Sequence, residues 1–226
     1  MKANPDKFHL ILSNSDEDKL VKIQQFEIYN SNCEKLLGVK IDNKLSFEDH
    51  VTDLCTKASQ KLHALSRIAT FMNVQQRKTI MNAFINSQFG YCPLVWMMHS
   101  RKLNTRINRI HERALRVVFN DMVSSFEELL LRNNSVSIHI RNIQLLATEL
   151  YKVANGFLPE IMSHVFPFKE NQRDSTKNIF KSRNVHSVTY GTESLSHLGP
   201  QIWSLLPDDL KDIKSLNAFK IKTSIA

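Results

Sequence analysis

Residues 34–72, EKLLGVKIDNKLSFEDHVTDLCTKASQKLHALSRIATFM, read as a strand, a turn and a long amphipathic helix. Leu36, Leu37, Val39 and Ile41 form a short apolar run closed by Asn43, the pattern of a buried or half-buried strand. Ser46 stands where it can cap a helix, and Asp49, three residues on, supplies the carboxylate of a capping box. Phe47, Val51, Leu54, Cys55, Ala58, Leu62, Leu65, Ile68, Ala69 and Met72 recur at helical spacing, so one face of that helix is expected in the core.

Outward from this stretch the chain is mostly helical. On its N-terminal side, Phe8 to Leu12 alternates as a strand and Leu20 to Ile28 is β-rich, which with Leu36 to Ile41 gives about three strands. On the other side a second helix is expected from Val74, with Ile80, Met81, Phe84 and Ile85 on its buried face. Pro93 should break it between Gly90 and Pro93, because proline lacks an amide and clashes with the preceding turn. A third helix spans Arg101 to Phe119. A short helix about Phe126–Leu130 follows, then a longer one from Ser137 that ends at Gly156. Residues 167–183 are polar and predict a long mobile loop, and the remainder returns to order with a last helix from Ser215. The expected class is α+β and predominantly α, divided as 1–45, 46–122, 123–166, 167–183 and 184–226. Five glycines and six prolines in 226 residues are too few for a turn-dense barrel or sandwich.

The net charge of +8 is concentrated. Residues 51–120 hold 11 Lys and Arg against 2 Asp and Glu, whereas residues 1–50 hold 7 against 9. Within the third helix Leu103, Ile107, Ile110, Ala114 and Val117 share one stripe, and Arg106, Arg109, Arg113 and Arg116 form a ridge beside it. Four like charges so close repel unless neutralised, and only Glu112 lies within the segment to help. A nucleic-acid backbone and the acidic residues of 121–170 are the two candidate neutralisers.

Enzyme chemistry finds no purchase in the residues alone. Nine histidines are scattered, with no pair at metal-ligand spacing. Cys33, Cys55 and Cys92 are odd in number and far apart, which reads as reduced thiols. Asp208-Asp209 follows Pro207 as a helix-start signal rather than a two-metal site. Neither a Gly-rich phosphate loop nor a Gly-x-Ser-x-Gly element is present. The sequence has no long apolar span, and its first ten residues lack the apolar stretch of a signal peptide, so an intracellular location, nuclear or cytoplasmic, is expected.

Three longer motifs carry a resemblance. NPDKFHL with EKLLGVKIDNKLSFEDHV resembles the end of the reverse transcriptase domain in jockey-type non-LTR retrotransposons. SQFGYCPLVWMMHSRKLNTRINRIHERALR is similar to the helical region beyond it, and YGTESLSHLGPQIWSLLP to the C-terminal segment. The resemblance implies a small antiparallel remnant of a palm sheet followed by thumb-like helices. The aspartates that hold two metal ions in that family precede the stretch matched here, so this chain is expected to be catalytically incomplete and without a cofactor. A divalent metal is expected only for the intact polymerase, with its fingers and palm. By the same resemblance Lys7 lies near the incoming nucleotide, and Leu37-Gly38 is the turn that holds the primer end. Leu36 stands where the family commonly has an aromatic. Thumb helices grip RNA or an RNA/DNA duplex by its phosphates, which makes Lys57, Lys61, Arg67, Arg77, Lys78, Arg106, Arg109, Arg113 and Arg116 the expected contacts. The alternative is a helical module that binds an acidic protein.

Overall fold

The computed structural model describes residues 8–13, 20–23, 26–98, 100–169, 179–182, 184–185, 191 and 194–225. The fold is α+β and predominantly helical, and the chain divides into two compact units, Met1–Ser135 and Val136–Ala226.

The first unit opens with two antiparallel hairpins, β1 (Leu20–Ile23) with β2 (Phe26–Tyr29), and β3 (Cys33–Leu36) with β4 (Val39–Asp42). The apolar run at 36–41 is therefore two strands joined by Leu37-Gly38, with Leu36 paired to Val39. Both turn residues have positive φ, 47° for Leu37 and 92° for Gly38, the backbone of a two-residue primed turn whose twist matches the strands it joins. Leu37 accepts that conformation with its side chain 83% exposed, so the turn is set by the backbone and not by apolar burial. Likewise Leu20 to Ile28 is a hairpin where one strand is expected. At 8–12 the described pairing is a single bridge, Leu10 with Asn30.

Helix α1 (Glu48–Ile68) follows. Its start differs from the expected Ser46 cap, because Phe47 occupies the capping position in a left-handed conformation, φ 54°. Asp42 holds the turn that leads into the helix. One carboxylate oxygen accepts the Lys44 and Ser46 amides at 3.1 and 3.0 Å, and the other accepts the Phe47 amide at 2.7 Å. Ser46 Oγ accepts the amide of Glu48, the first residue of the helix, at 3.3 Å, so it meets one first-turn amide from one position before the cap. Val51, Leu54, Cys55, Ala58, Leu62 and Leu65 are buried as the periodicity requires, while Ile68 at the end of the face is exposed.

Helix α2 (Val74–Ile80) is opened by a capping box between Asn73 and Gln76. It then widens into a π turn, Met81–Ile85, and tightens into a 3₁₀ turn, Asn86–Phe89. This places Met81, Ile85 and Phe89 in the core and leaves Phe84 exposed, against the expected face. The break falls at Gly90–Cys92, and Pro93 begins α3 (Pro93–Trp96) at the position where its missing amide costs nothing. Trp96 is fully buried and donates to the Tyr91 carbonyl at 2.9 Å. Helix α4 (Arg101–Phe119) packs chiefly on α1 and buries Leu103, Ile107, Ile110 and Ala114, with Leu115 and Val118, while Val117 is half-buried. A capping box of Ser125 and Glu128 starts α5 (Phe126–Arg132), which packs on α4.

In the second unit α6 (Ile138–Ala154) is the central element, flanked by α8 (Leu195–Leu205) and α10 (Leu216–Ile225). Short helices α7 (Met162–Val165) and α9 (Asp208–Lys211) complete it, with Asp208-Asp209 in the first turn of α9. Tyr151 is fully buried, stacks on Phe219 at 4.3 Å between ring centres, and donates its hydroxyl to the Ile213 carbonyl at 2.6 Å. The ends of the expected 167–183 loop are paired: Lys169 N donates to Ile179 O at 2.8 Å and Lys181 N to Pro167 O at 2.7 Å. Phe180 is buried there against Trp203 and Phe168. Residues 170–178 lie outside the described set.

Candidate nucleic-acid interface

The nine cations expected to contact phosphate divide by what already holds them. Arg77 is structural. Its Nε donates to Met72 O at 3.0 Å, and its Nη1 donates to Val117 O and Val118 O at 3.2 and 3.0 Å. A helix leaves its last four carbonyls without partners, and this guanidinium satisfies two of them at the end of α4. Lys78 sits 4.9 Å from the centre of the Phe119 ring, a cation–π contact. Arg116 is half-buried and pairs with Glu112 at 2.6 Å, one helical turn back. Arg106 is exposed and donates to Thr52 Oγ1 at 3.1 Å, joining α4 to α1.

The remaining five, Lys57, Lys61, Arg67, Arg109 and Arg113, make no hydrogen bond or ion pair among the described residues. Arg109 and Arg113 are both exposed and lie one turn apart on α4. Their stripe includes a residue that the sequence reading passed over. Lys102, four residues before Arg106, is exposed and lies on the same face. Lys102, Arg106, Arg109, Arg113 and Arg116 thus form a line of about 20 Å, from the helical rise per residue. It runs opposite the buried face that holds Leu103, Ile107 and Ala114.

The cations of α1 do not all join this line. Lys57 and Lys61 occupy the flank of α1 that carries His50 and Asp53, whereas Arg106 reaches Thr52 on the other flank, as the helical period requires. Two basic surfaces result, where the regional charge count suggests one.

The Leu37-Gly38 turn belongs with the second surface. The Tyr91 hydroxyl donates to the Leu37 carbonyl at 2.6 Å, and a Cβ on Gly38 would lie 3.5 Å from Tyr91 Cε1. Lys40 Nζ pairs with Asp53 at 2.7 Å, and the Lys40 amide donates to His50 Nδ1 at 3.3 Å, so β4 is bound to α1 twice. The Lys40 ammonium beside Asp53 holds that carboxyl below its usual range. His50 is buried against the edge of Trp96, and burial pushes its pKa down, which keeps the ring neutral. Between these elements and the Asn86–Phe89 turn lies a cleft of about 240 Å³. Lys7 lies outside the described residues.

Among the described residues no three His, Cys, Asp or Glu side chains are placed to hold a metal ion. The three cysteines are free thiols, and burial pushes the Cys55 thiol up, away from reactivity. No helix among the described residues is long and apolar enough to cross a membrane. No protein-family model, curated protein or solved structure matches the chain.

Proposed function

We propose that the chain binds nucleic acid without sequence preference, gripping phosphates along α4, as the catalytically incomplete C-terminal part of a retrotransposon reverse transcriptase. On this reading β1–β4 are what remains of a palm sheet, the helices of the first unit serve as the thumb, and the protein works inside the cell. The observation that carries the binding is the α4 stripe, in which Arg109 and Arg113 are exposed and unpaired beside Lys102 and Arg106. Glu112, the only acid in the helix, is already taken by Arg116. Guanidinium groups held in line on a rigid helix suit phosphate oxygens, which they bind in a fork, and each contact releases condensed counterions. The attribution to a reverse transcriptase rests on the three motif resemblances.

The test is retention of an RNA/DNA duplex across a salt series, with wild type and Arg109→Gln/Arg113→Gln compared. Binding at low salt should fall with a log–log slope of about −3, and the double variant should reduce that slope by about 2. Undetectable duplex binding at low salt refutes the proposal. Capture of polyglutamate in its place, lost in the same variant, would assign the stripe to an acidic protein partner.

A further inference from the structure

The geometry points to a second anion site, for a small phosphorylated ligand, in the cleft between the β3–β4 hairpin, the start of α1 and the Asn86–Phe89 turn. The inference goes beyond the duplex-binding proposal and does not depend on the α4 stripe. Three lysines, Lys35, Lys40 and Lys57, line the cleft against one carboxylate, Asp53. That carboxylate is already committed to Lys40 at 2.7 Å, and neither Lys35 nor Lys57 has a hydrogen bond or ion pair among the described residues. Three lysines against one carboxylate, which acts on both Lys40 and Lys57, leave the lining of the cleft with a surplus of two positive charges. Phosphate monoesters carry close to two negative charges at neutral pH, which matches that surplus.

The walls reinforce the preference for an acceptor ligand. The Leu37 carbonyl is occupied by the Tyr91 hydroxyl, and Ser87 Oγ donates to Ala83 O at 2.6 Å. Behind them His50 accepts the Lys40 amide through Nδ1, which leaves the proton of the neutral ring on Nε2. Nε2 is buried without a hydrogen-bond partner among the described residues, an unsatisfied donor on a residue that lines the cleft. The hairpin is held by its positive-φ turn and by two bonds to α1, so the lysine backbones are fixed before any ligand arrives. A space of about 240 Å³ admits a phosphate group with a short organic remainder and excludes a duplex.

The chemistry is shared by free phosphorylated metabolites and by the phosphorylated end of a nucleic-acid strand. Calorimetric titration of the full chain with inorganic phosphate tests the site. Wild type should saturate, Lys35→Ala/Lys57→Ala should bind at least about tenfold more weakly, and Lys61→Ala, whose side chain lies outside the cleft, should match wild type. All three positions carry solvent-reaching side chains, and matched thermal melting will show that the variants fold. A titration that does not saturate, or an equal loss in Lys61→Ala, overturns the proposal, since either means diffuse attraction to a basic surface. The source is then read in the Arg109→Gln/Arg113→Gln background. A 5′-phosphorylated dinucleotide that binds tighter than its 5′-hydroxyl counterpart and than inorganic phosphate supports a strand end. Equal binding of glycerol phosphate and the phosphorylated dinucleotide supports a free metabolite.

Discussion

Replacing Arg77 with alanine separates a structural cation from a binding one. The side chain makes three bonds of 3.0–3.2 Å to backbone carbonyls of Met72, Val117 and Val118, and so ties the entry of α2 to the exit of α4. Hydrogen bonds from a charged donor contribute about 1.5–3 kcal/mol each, but these three share one half-buried group, and water can reach the freed carbonyls in part. A net loss of about 2 kcal/mol is expected, not the sum. For a cooperative unit of this size that lowers the melting temperature by about 6–10 °C. Because the chain has two compact units, the readout should be local. Amide hydrogen exchange across 101–119 should rise first at the C-terminal turn of α4, with exchange in α6 unaffected. Arg77→Lys should recover only a fraction, since one ammonium cannot reach three carbonyls as a planar fork does. The reasoning fails if Arg77→Ala melts within about 0.5 kcal/mol of wild type, the range of an ordinary surface substitution. It fails equally if the folded variant loses the duplex-binding salt slope, because that would place Arg77 on phosphate.

Neutralising Arg109 and Arg113 should leave the first unit as stable or up to about 1 kcal/mol more so, since it removes like-charge neighbours three and four residues apart; chemical denaturation measures this beside the binding loss, and destabilisation would mean that the pair has a structural partner. Acid should weaken the union of β4 and α1. His50 has a folded-state pKa held below its ordinary 6.5 by burial, so the unfolded chain takes up a proton first and stability falls as pH drops below about 6.5. His50→Gln should flatten that part of a urea midpoint-against-pH curve, and an unchanged curve would refute the assignment. Gly38→Ala should cost about 1 kcal/mol or more, because φ of 92° is strained for any side chain even though the nearest Tyr91 atom allows the volume. A thermal shift below 1 °C would show that the hairpin turn relaxes freely.

What could be read before the structure was known depended on whether a signal was periodic. The α4 boundaries, Arg101 to Phe119, and most of its buried face follow from an apolar period that nothing local contradicts. The β3–β4 hairpin hid inside an apolar run because its turn is Leu37-Gly38, where Asn-Gly or Asp-Gly would have signalled the positive φ values directly. Ser46 fitted the capping pattern, and its hydroxyl does accept the Glu48 amide, but the local turn in which Asp42 accepts amides two, four and five residues on carries no apolar period to announce it. The π turn at Met81–Ile85 shifted the register of the following face and exposed Phe84. Among the cations, the Arg116–Glu112 pair and the place of Lys102 on the stripe were legible from spacing alone. The fate of Arg77 was not, since two of its three acceptors are backbone carbonyls about 40 positions away.

That last case bears on how a basic region should be interpreted. Eleven cations against two acids within 51–120 suggest a single electrostatic surface, but a count assigns the same weight to every charge. In the folded unit, much of the positive charge serves the fold itself. Arg77 neutralises helix-end carbonyls, Lys78 covers an aromatic ring, and Lys40 closes a hairpin onto a helix. Each of these would destabilise the fold if lost, and none is free for a ligand without giving up a native contact. Besides Lys61 and Arg67 on α1, what remains falls into two groups: Arg109 and Arg113 on one helix face, and Lys35 and Lys57 in the lining of a cleft. An exposed line of guanidinium groups fits a repeating polyanion, whereas lysines lining a small concavity fit a compact one. The two arrangements therefore differ in the test that matters most: duplex affinity should follow ionic strength steeply through α4, while phosphate affinity in the cleft should follow the identity of two lysines.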